Sequence, residues 1–141
     1  MDIKERIQGY ARAQTGIHRL LGWLSVISGV GVGAVAIFAP FKANERGIAI
    51  GFGVFGLSLV VAGIMFIRVM AGRTTTAAAL LVNRSNVSEP TVVELRMDGR
   101  VFAYQVKFKD PSGKQHVLKV PSEQAAKEIL SYAMGAPKQA A

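Results

Sequence analysis

The chain has 141 residues, of which 17 are lysine or arginine and 9 are aspartate or glutamate, so its formal net charge is +8. It contains no cysteine, which excludes disulfides, cysteine-ligated metal centres and thiol catalysis. Half of the residues are hydrophobic, and they are concentrated in two blocks. This distribution argues against a soluble single-domain enzyme.

The first segment, residues 1–19, is basic and has helical periodicity. Ile3, Ile7 and Tyr10 fall on one helical stripe, and the basic residues lie mostly off it. The pattern is typical of an amphipathic helix at a membrane surface, or of a cytoplasmic extension of a first membrane span. A third interpretation is a frayed basic leader that only sets membrane topology.

Two apolar blocks, at about residues 20–41 and 47–70, have no ionisable side chain in their central parts. At about 1.5 Å per residue, each forms a helix of roughly 30 Å, the thickness of a bilayer's hydrocarbon core. The short link between them contains Pro40, so residues 20–71 are predicted to form an antiparallel transmembrane hairpin. The first block is too long for the apolar region of a signal peptide, and a second block follows it closely, so we interpret it as a retained span.

Lysine and arginine are scarcer in the link than in the two flanks, which predicts that both termini are cytoplasmic. The small size of the chain, and its organisation as a two-helix hairpin followed by a small β-rich module, favour a bacterial inner membrane.

The remainder is predicted to be a cytoplasmic module, residues 74–135, followed by a tail, residues 136–141. Asp98-Gly99 lies between two alternating runs, which indicates a β-hairpin with a type I′ turn. The turn predicts three pairs of opposed residues: Met97–Arg100, Leu95–Phe102 and Val93–Tyr104. The apolar residues of both strands then share one face, as a half-buried sheet requires.

A second turn, Asp110-Pro-Ser-Gly113, leads into a third strand. It predicts the pairs Phe108–His116, Val106–Leu118 and Tyr104–Val120. Ser122 then caps a C-terminal helix that Gly135 ends. The stretch 76–82 suits either a helix or a fourth strand, and we favour the strand. The predicted fold is therefore membrane α+β: a two-helix hairpin, with a small antiparallel β-meander closed by a C-terminal helix.

Small residues recur at one-turn spacing in both apolar blocks and mark faces where helix backbones can approach closely. The candidate helix-packing residues are Ser25, Gly29, Gly33, Gly47, Gly51, Gly56 and Gly63. One interpretation is that they only pack the two helices of the hairpin together. The other is association with other membrane subunits or with further copies, which is favoured because each block has more than one small face.

The module also carries a candidate basic surface that points away from the apolar face of the sheet. It consists of Arg96, Lys107, Lys109 and Lys119. The interpretations are a solvated sheet face, contact with anionic lipid headgroups and docking of an acidic protein. Nucleic acid is disfavoured, because the aromatic residues Phe102, Tyr104 and Phe108 are predicted to lie on the buried face.

No catalytic, cofactor or metal site is predicted. His18 and His116 lie in different parts of the chain and make no metal-ligand set. The pattern formed by Gly51, Gly53 and Gly56 resembles a dinucleotide-binding loop, but it lies inside an apolar helix without a preceding strand. We therefore expect a non-catalytic integral membrane accessory or scaffolding protein that contacts lipid and other membrane subunits. The alternative is a self-assembling homo-oligomer, which could form a pore.

Overall fold

The structure is a computed structural model that describes residues 2–84 and 87–135. Its elements are α1 (Ile3–Phe38), a 3₁₀ turn (Ala43–Glu45), α2 (Arg46–Met65), a π-helical turn (Phe66–Met70), α3 (Ala71–Val82), β1 (Ser88–Met97), β2 (Arg100–Lys109), β3 (Gln115–Val120) and α4 (Glu123–Ala133). The chain divides into two compact units. The helical unit is Gly16–Gly72, and the mixed unit combines the chain up to Thr15 with the chain from Arg73 onward. The predicted tail, residues 136–141, lies outside the described residues.

Two helical stretches, Ile3–Phe38 and Ala43–Val82, are long and apolar enough to cross a membrane. They contain the second predicted apolar block and the first block as far as Phe38, three residues short of its predicted end. The helix ends there because the ring of Pro40 disfavours helical backbone at the residue before it. The second stretch continues from α2 through the π-helical turn into α3.

The three-stranded antiparallel sheet and the C-terminal helix are confirmed, with strand order β1-β2-β3. All three predicted pairs between β2 and β3 are correct: Phe108–His116, Val106–Leu118 and Tyr104–Val120. The predicted turn is also present, since Asp98 and Gly99 both have positive φ, at 51° and 78°. At the C-terminal end, Ser122 caps α4 by accepting a hydrogen bond from the Ala125 amide.

The predicted register between β1 and β2 is wrong beyond the first pair. The observed pairs are Met97–Arg100, Arg96–Val101, Leu95–Ala103 and Val93–Gln105. The shift between Leu95 and Arg96 makes Phe102 the extra residue of a β-bulge. Because a one-residue slip moves side chains to the opposite face of a strand, Val92 rather than Val93 packs against the core.

The preference for a strand at residues 76–82 is also wrong, because this stretch belongs to the helix α3. Ala77, Ala78 and Leu81 are buried and lie at helical spacing on one face. Alanine has the highest helix propensity, and a helix here presents these small side chains to the core of the mixed unit.

The core of the mixed unit joins the sheet to three helical segments. The buried residues come from the start of α1 (Ile7, Ala11), from α3, from the sheet (Val106, Phe108, Leu118, Val120) and from α4 (Ala126, Ile129). The predicted N-terminal stripe therefore packs into a protein core, and Ile7 is completely buried. Of the three interpretations of residues 1–19, the structure supports a helix that extends the first apolar block, because α1 runs without a break from Ile3 to Phe38.

Polar contacts fix the start of α1 within the mixed unit. The Arg6 guanidinium forms an ion pair with the Glu128 carboxylate of α4. The Gln14 side-chain oxygen accepts a hydrogen bond of 3.2 Å from the backbone N–H of Lys119 in β3. This contact satisfies a donor on an edge strand of the sheet, where unpaired backbone groups would otherwise be open to another chain.

Candidate helix-packing faces and outer sheet surface

Four glycines form a close backbone contact between α1 and α2 in the helical unit. A Cβ atom at Gly29 would lie 2.5 Å from the carbonyl oxygen of Gly56, and a Cβ atom at Gly63 would lie 2.5 Å from the carbonyl oxygen of Gly22. No real Cβ atom tolerates such distances, so a side chain at either position would push the helices apart. Gly22 and Gly29 on one helix, and Gly56 and Gly63 on the other, therefore allow backbone-to-backbone packing.

The contact also includes two other predicted packing residues. The Ser25 hydroxyl donates a hydrogen bond of 2.8 Å to the Leu59 carbonyl oxygen on the facing helix. The backbone nitrogen of Gly33 is 2.8 Å from the point where a Cβ atom at Gly56 would lie, so the Gly33 backbone packs against Gly56. Five of the seven predicted residues thus lie together on one interface inside the hairpin: Ser25, Gly29, Gly33, Gly56 and Gly63.

Gly22 belongs to this interface but was not among the candidates, because the prediction used four-residue spacing. Gly22 and Gly29 are seven residues apart, as are Gly56 and Gly63. Seven residues are close to two helical turns, the repeat of a seam between two helices. The seven-residue spacing on both helices is the sequence signal that would have identified all four glycines.

Gly47 and Gly51 take no part in the hairpin interface. Apart from its chain neighbours and the nearby backbone of α2 itself, no described atom lies within 4 Å of where a Cβ atom would stand at either glycine. The two lie one turn apart on α2 and are exposed. We call Gly22, Gly29, Gly56 and Gly63 the filled face, and Gly47 and Gly51 the open face.

Large apolar side chains of the helical unit are also exposed. Ile37 is 76% exposed, Phe38 is 81% exposed and Leu57 is 65% exposed. A core helix of a soluble protein buries such side chains, because each fully buried one stabilises the fold by about 1.5–3 kcal/mol. The outside of this unit is therefore apolar.

The four predicted basic residues have different environments on the mixed unit. Arg96 donates hydrogen bonds to the Glu94 carboxylate, and Lys109 pairs with Glu89 at 2.6 Å. The Lys119 ammonium lies 4.9 Å from the centre of the Phe102 ring, a cation–π contact. Lys107 is half-buried and stands opposite Val117.

The outer sheet face is part apolar because of the shifted register. Directly opposed residues share a face, so Val93 and Leu95 lie on the same side as Gln105, which is itself opposite Lys119. The prediction that Phe102 is buried is wrong, since the bulge leaves it 52% exposed. Phe108 is buried as predicted, and Tyr104 packs against the core while half-buried.

A polar cluster fixes the turn between β2 and β3. The Asp110 carboxylate contacts His116 Nε2 at 2.9 Å and accepts hydrogen bonds from the backbone N–H groups of Ser112 and Lys114. Hydrogen bonds from the Ser112 hydroxyl, then from His116 and the two amides, hold the pKa of Asp110 well below its usual range. His116 is buried and stacks on Phe108, so this cluster stabilises the turn.

Within residues 2–84 and 87–135, no three histidine or acidic side chains are grouped so that they could hold a metal ion. The Nδ1 atom of His18 is buried, and among the described residues it has no hydrogen-bond partner. Its ring lies edge-on to Phe66, with 6.3 Å between the ring centres. The chain matches no protein-family model, no curated protein and no solved structure.

Proposed function

We propose that the protein is a non-catalytic integral membrane accessory or scaffolding protein. Its helical unit crosses the membrane as a hairpin and binds another membrane subunit through the open face of α2, at Gly47 and Gly51. Its mixed unit is presented on the cytoplasmic side. The observation that carries this proposal is the contrast between the four glycines that the hairpin fills and the pair Gly47 and Gly51, one turn apart on α2, which it leaves open.

Insertion in a membrane is supported by the length of the two apolar helical stretches and by the exposure of their large side chains. The mixed unit contains the chain on both sides of the helical unit, up to Thr15 and from Arg73 onward. A chain that leaves one compact unit and returns to it crosses a bilayer an even number of times. Two crossings by a hairpin agree with this requirement.

Association through the open face is supported by the physics of helix packing in lipid. Lipid tails are as apolar as the helices, so close van der Waals packing between small residues supplies much of the attraction between them. The hairpin itself needs one small face on each helix, and Gly56 and Gly63 provide that face on α2. Gly47 and Gly51 remain available to a helix of another subunit.

The test is gentle extraction of the untagged protein from its native membrane, followed by the mass of the intact particle and identification of its components. Gly51→Leu blocks the open face. Gly31→Leu is the matched control, because Gly31 on α1 also has open space around its Cβ position in the described structure. We expect a stoichiometric second protein that is lost in Gly51→Leu and kept in Gly31→Leu.

A particle that contains only this chain, at a fixed multiple of 15.1 kDa, would contradict the accessory role. It would favour the alternative of a self-assembling homo-oligomer, for which conductance in a planar bilayer is the next measurement. A single copy in all three proteins would reject both functions. Substitutions at Gly29 are unsuitable here, because they act on the hairpin itself.

A further inference from the structure

The end of the β1–β2 hairpin exposes three large apolar side chains that are close together in the strand pair. Met97 is 65% exposed, Phe102 is 52% exposed and Val101 is 38% exposed. They lie around the two-residue turn on both faces of the strand pair, because Met97 pairs with Arg100 and the next pair is Val101 with Arg96. Among the described residues of the mixed unit, Met134 is the one other large apolar residue that is exposed.

The backbone itself produces the exposure of Phe102. Without the register shift, Phe102 would stand opposite Leu95 and would continue the alternation that buries Val106 and Phe108. In the observed register Ala103 stands opposite Leu95 instead, and Phe102 is 52% exposed with the Lys119 ammonium over its ring. β-Bulges commonly redirect a side chain in this way at functional surfaces.

Basic side chains accompany this apolar group. Arg96 and Arg100 flank the turn, and Lys119 lies over the Phe102 ring at 4.9 Å. The acidic residues nearby are Glu94, which Arg96 already binds, and Asp98 in the turn. Apolar side chains surrounded by cations match the boundary of an anionic leaflet, where acyl chains and phosphates lie next to each other.

We propose that Met97, Val101 and Phe102, with Arg96, Arg100 and Lys119, form a hairpin-tip surface that seats on the anionic headgroups of the leaflet. The proposal rests on the membrane insertion argued under Proposed function. The hairpin-tip surface anchors the mixed unit to the membrane at a second place, in addition to its chain connections. The apolar side chains enter the headgroup boundary, and the cations contact lipid phosphates.

The absence of native cysteine allows a clean test in the full-length protein. Phe102→Cys carries an environment-sensitive nitrobenzoxadiazole dye, and the protein is reconstituted into vesicles of phosphatidylcholine with and without phosphatidylserine. Lys114→Cys is the matched control, because Lys114 is exposed and follows the turn at the other end of β2. Val101→Cys repeats the measurement at a second position, in case the Phe102 variant is poorly folded.

We expect blue-shifted emission, and several-fold stronger quenching by headgroup-level spin-labelled lipid, at positions 102 and 101 than at 114. The effect should increase with phosphatidylserine and decrease when Arg96→Gln and Arg100→Gln are combined. The proposal is overturned if the dyes at 102 and 101 are as exposed to water as the dye at 114. It is also overturned if phosphatidylserine has no effect, or if shielding occurs only in native membranes, which would indicate a protein partner.

A flotation step separates failure of this proposal from failure of the proposed function. If labelled protein does not remain with the vesicles after an alkaline wash, the helical unit is not inserted and the proposed function fails. If it remains but the dye at 102 stays exposed, only the hairpin-tip surface is refuted.

Discussion

Gly29→Ala tests the filled glycine face most sharply. The added methyl group would lie 2.5 Å from the Gly56 carbonyl oxygen, 2.8 Å from Val60 Cγ2 and 2.9 Å from the Val60 nitrogen. Two of these three atoms belong to the backbone, so no rotation of a side chain can relieve the contact, and α1 and α2 must separate. Overpacking of this kind typically costs about 1–3 kcal/mol. The higher helix propensity of alanine opposes this loss by at most about 1 kcal/mol.

Gly51→Ala is the matched control, because among the described residues nothing stands within 4 Å of its added methyl group. Subtracting the propensity gain from an overpacking cost of about 2 kcal/mol, we expect the free energy of unfolding to fall by roughly 1–2 kcal/mol for Gly29→Ala and to be unchanged or higher for Gly51→Ala. Unfolding by titration with a denaturing detergent, followed by the fluorescence of Trp23 on α1, provides the measurement. The packing argument fails if Gly29→Ala is as stable as the wild type, or if both variants lose the same free energy.

Three further predictions concern the mixed unit. In a denaturation experiment, Ile7→Ala should lower the free energy of unfolding of the mixed unit by about 2–5 kcal/mol, because Ile7 is completely buried. The control Ile17→Ala should have little effect in the same experiment, because Ile17 is 57% exposed. Tyr132→Phe should cost about 0.5–1.5 kcal/mol in a chemical denaturation curve, because the hydroxyl donates a hydrogen bond of 2.9 Å to the Val82 carbonyl oxygen; an unchanged midpoint would contradict that role. Asp110 has a lowered pKa in the fold, so its contribution is present above its unfolded pKa of about 4 and is lost as pH falls through the folded value. The difference in Tm between wild type and Asp110→Asn should therefore narrow below about pH 4, and a constant difference would refute the assignment.

Features that depend on neighbouring residues were predicted correctly from the sequence. The type I′ turn follows from Asp98-Gly99, and the pairing of β2 with β3 follows from the residues at Asp110 and Gly113. The two apolar helices follow from composition and length alone. In each case, residues that are close together in the chain determine the feature.

The errors arise where distant parts of the chain decide the outcome. The bulge at Phe102 shifts β1 by one residue, and alternation alone does not reveal it because Val92 and Val93 are both apolar. Residues 76–82 are helical because Ala77 and Leu81 pack into a core that also includes Ile7 from the other end of the chain. Local propensity could not choose between helix and strand there, since tertiary packing decides it.

The glycine faces show the same division. Four-residue spacing on one helix identifies small faces, but it does not separate the filled positions from the open ones. Gly29 and Gly51 are indistinguishable by residue type and by their apolar surroundings in the sequence. Their difference is three-dimensional: a Cβ atom at Gly29 meets the backbone of α2, and one at Gly51 meets no described atom.

The proposed role of the protein requires that the helical unit crosses a membrane as a hairpin. Because the chain has no native cysteine, two single-cysteine variants test this claim directly: Asn44→Cys in the 3₁₀ turn of the link and Lys114→Cys in the mixed unit. Each is treated with a membrane-impermeant maleimide in sealed native vesicles of known orientation. We predict that the two cysteines react from opposite sides of the membrane. Reaction of both from the same side, or release of the protein by alkaline carbonate, would contradict the hairpin.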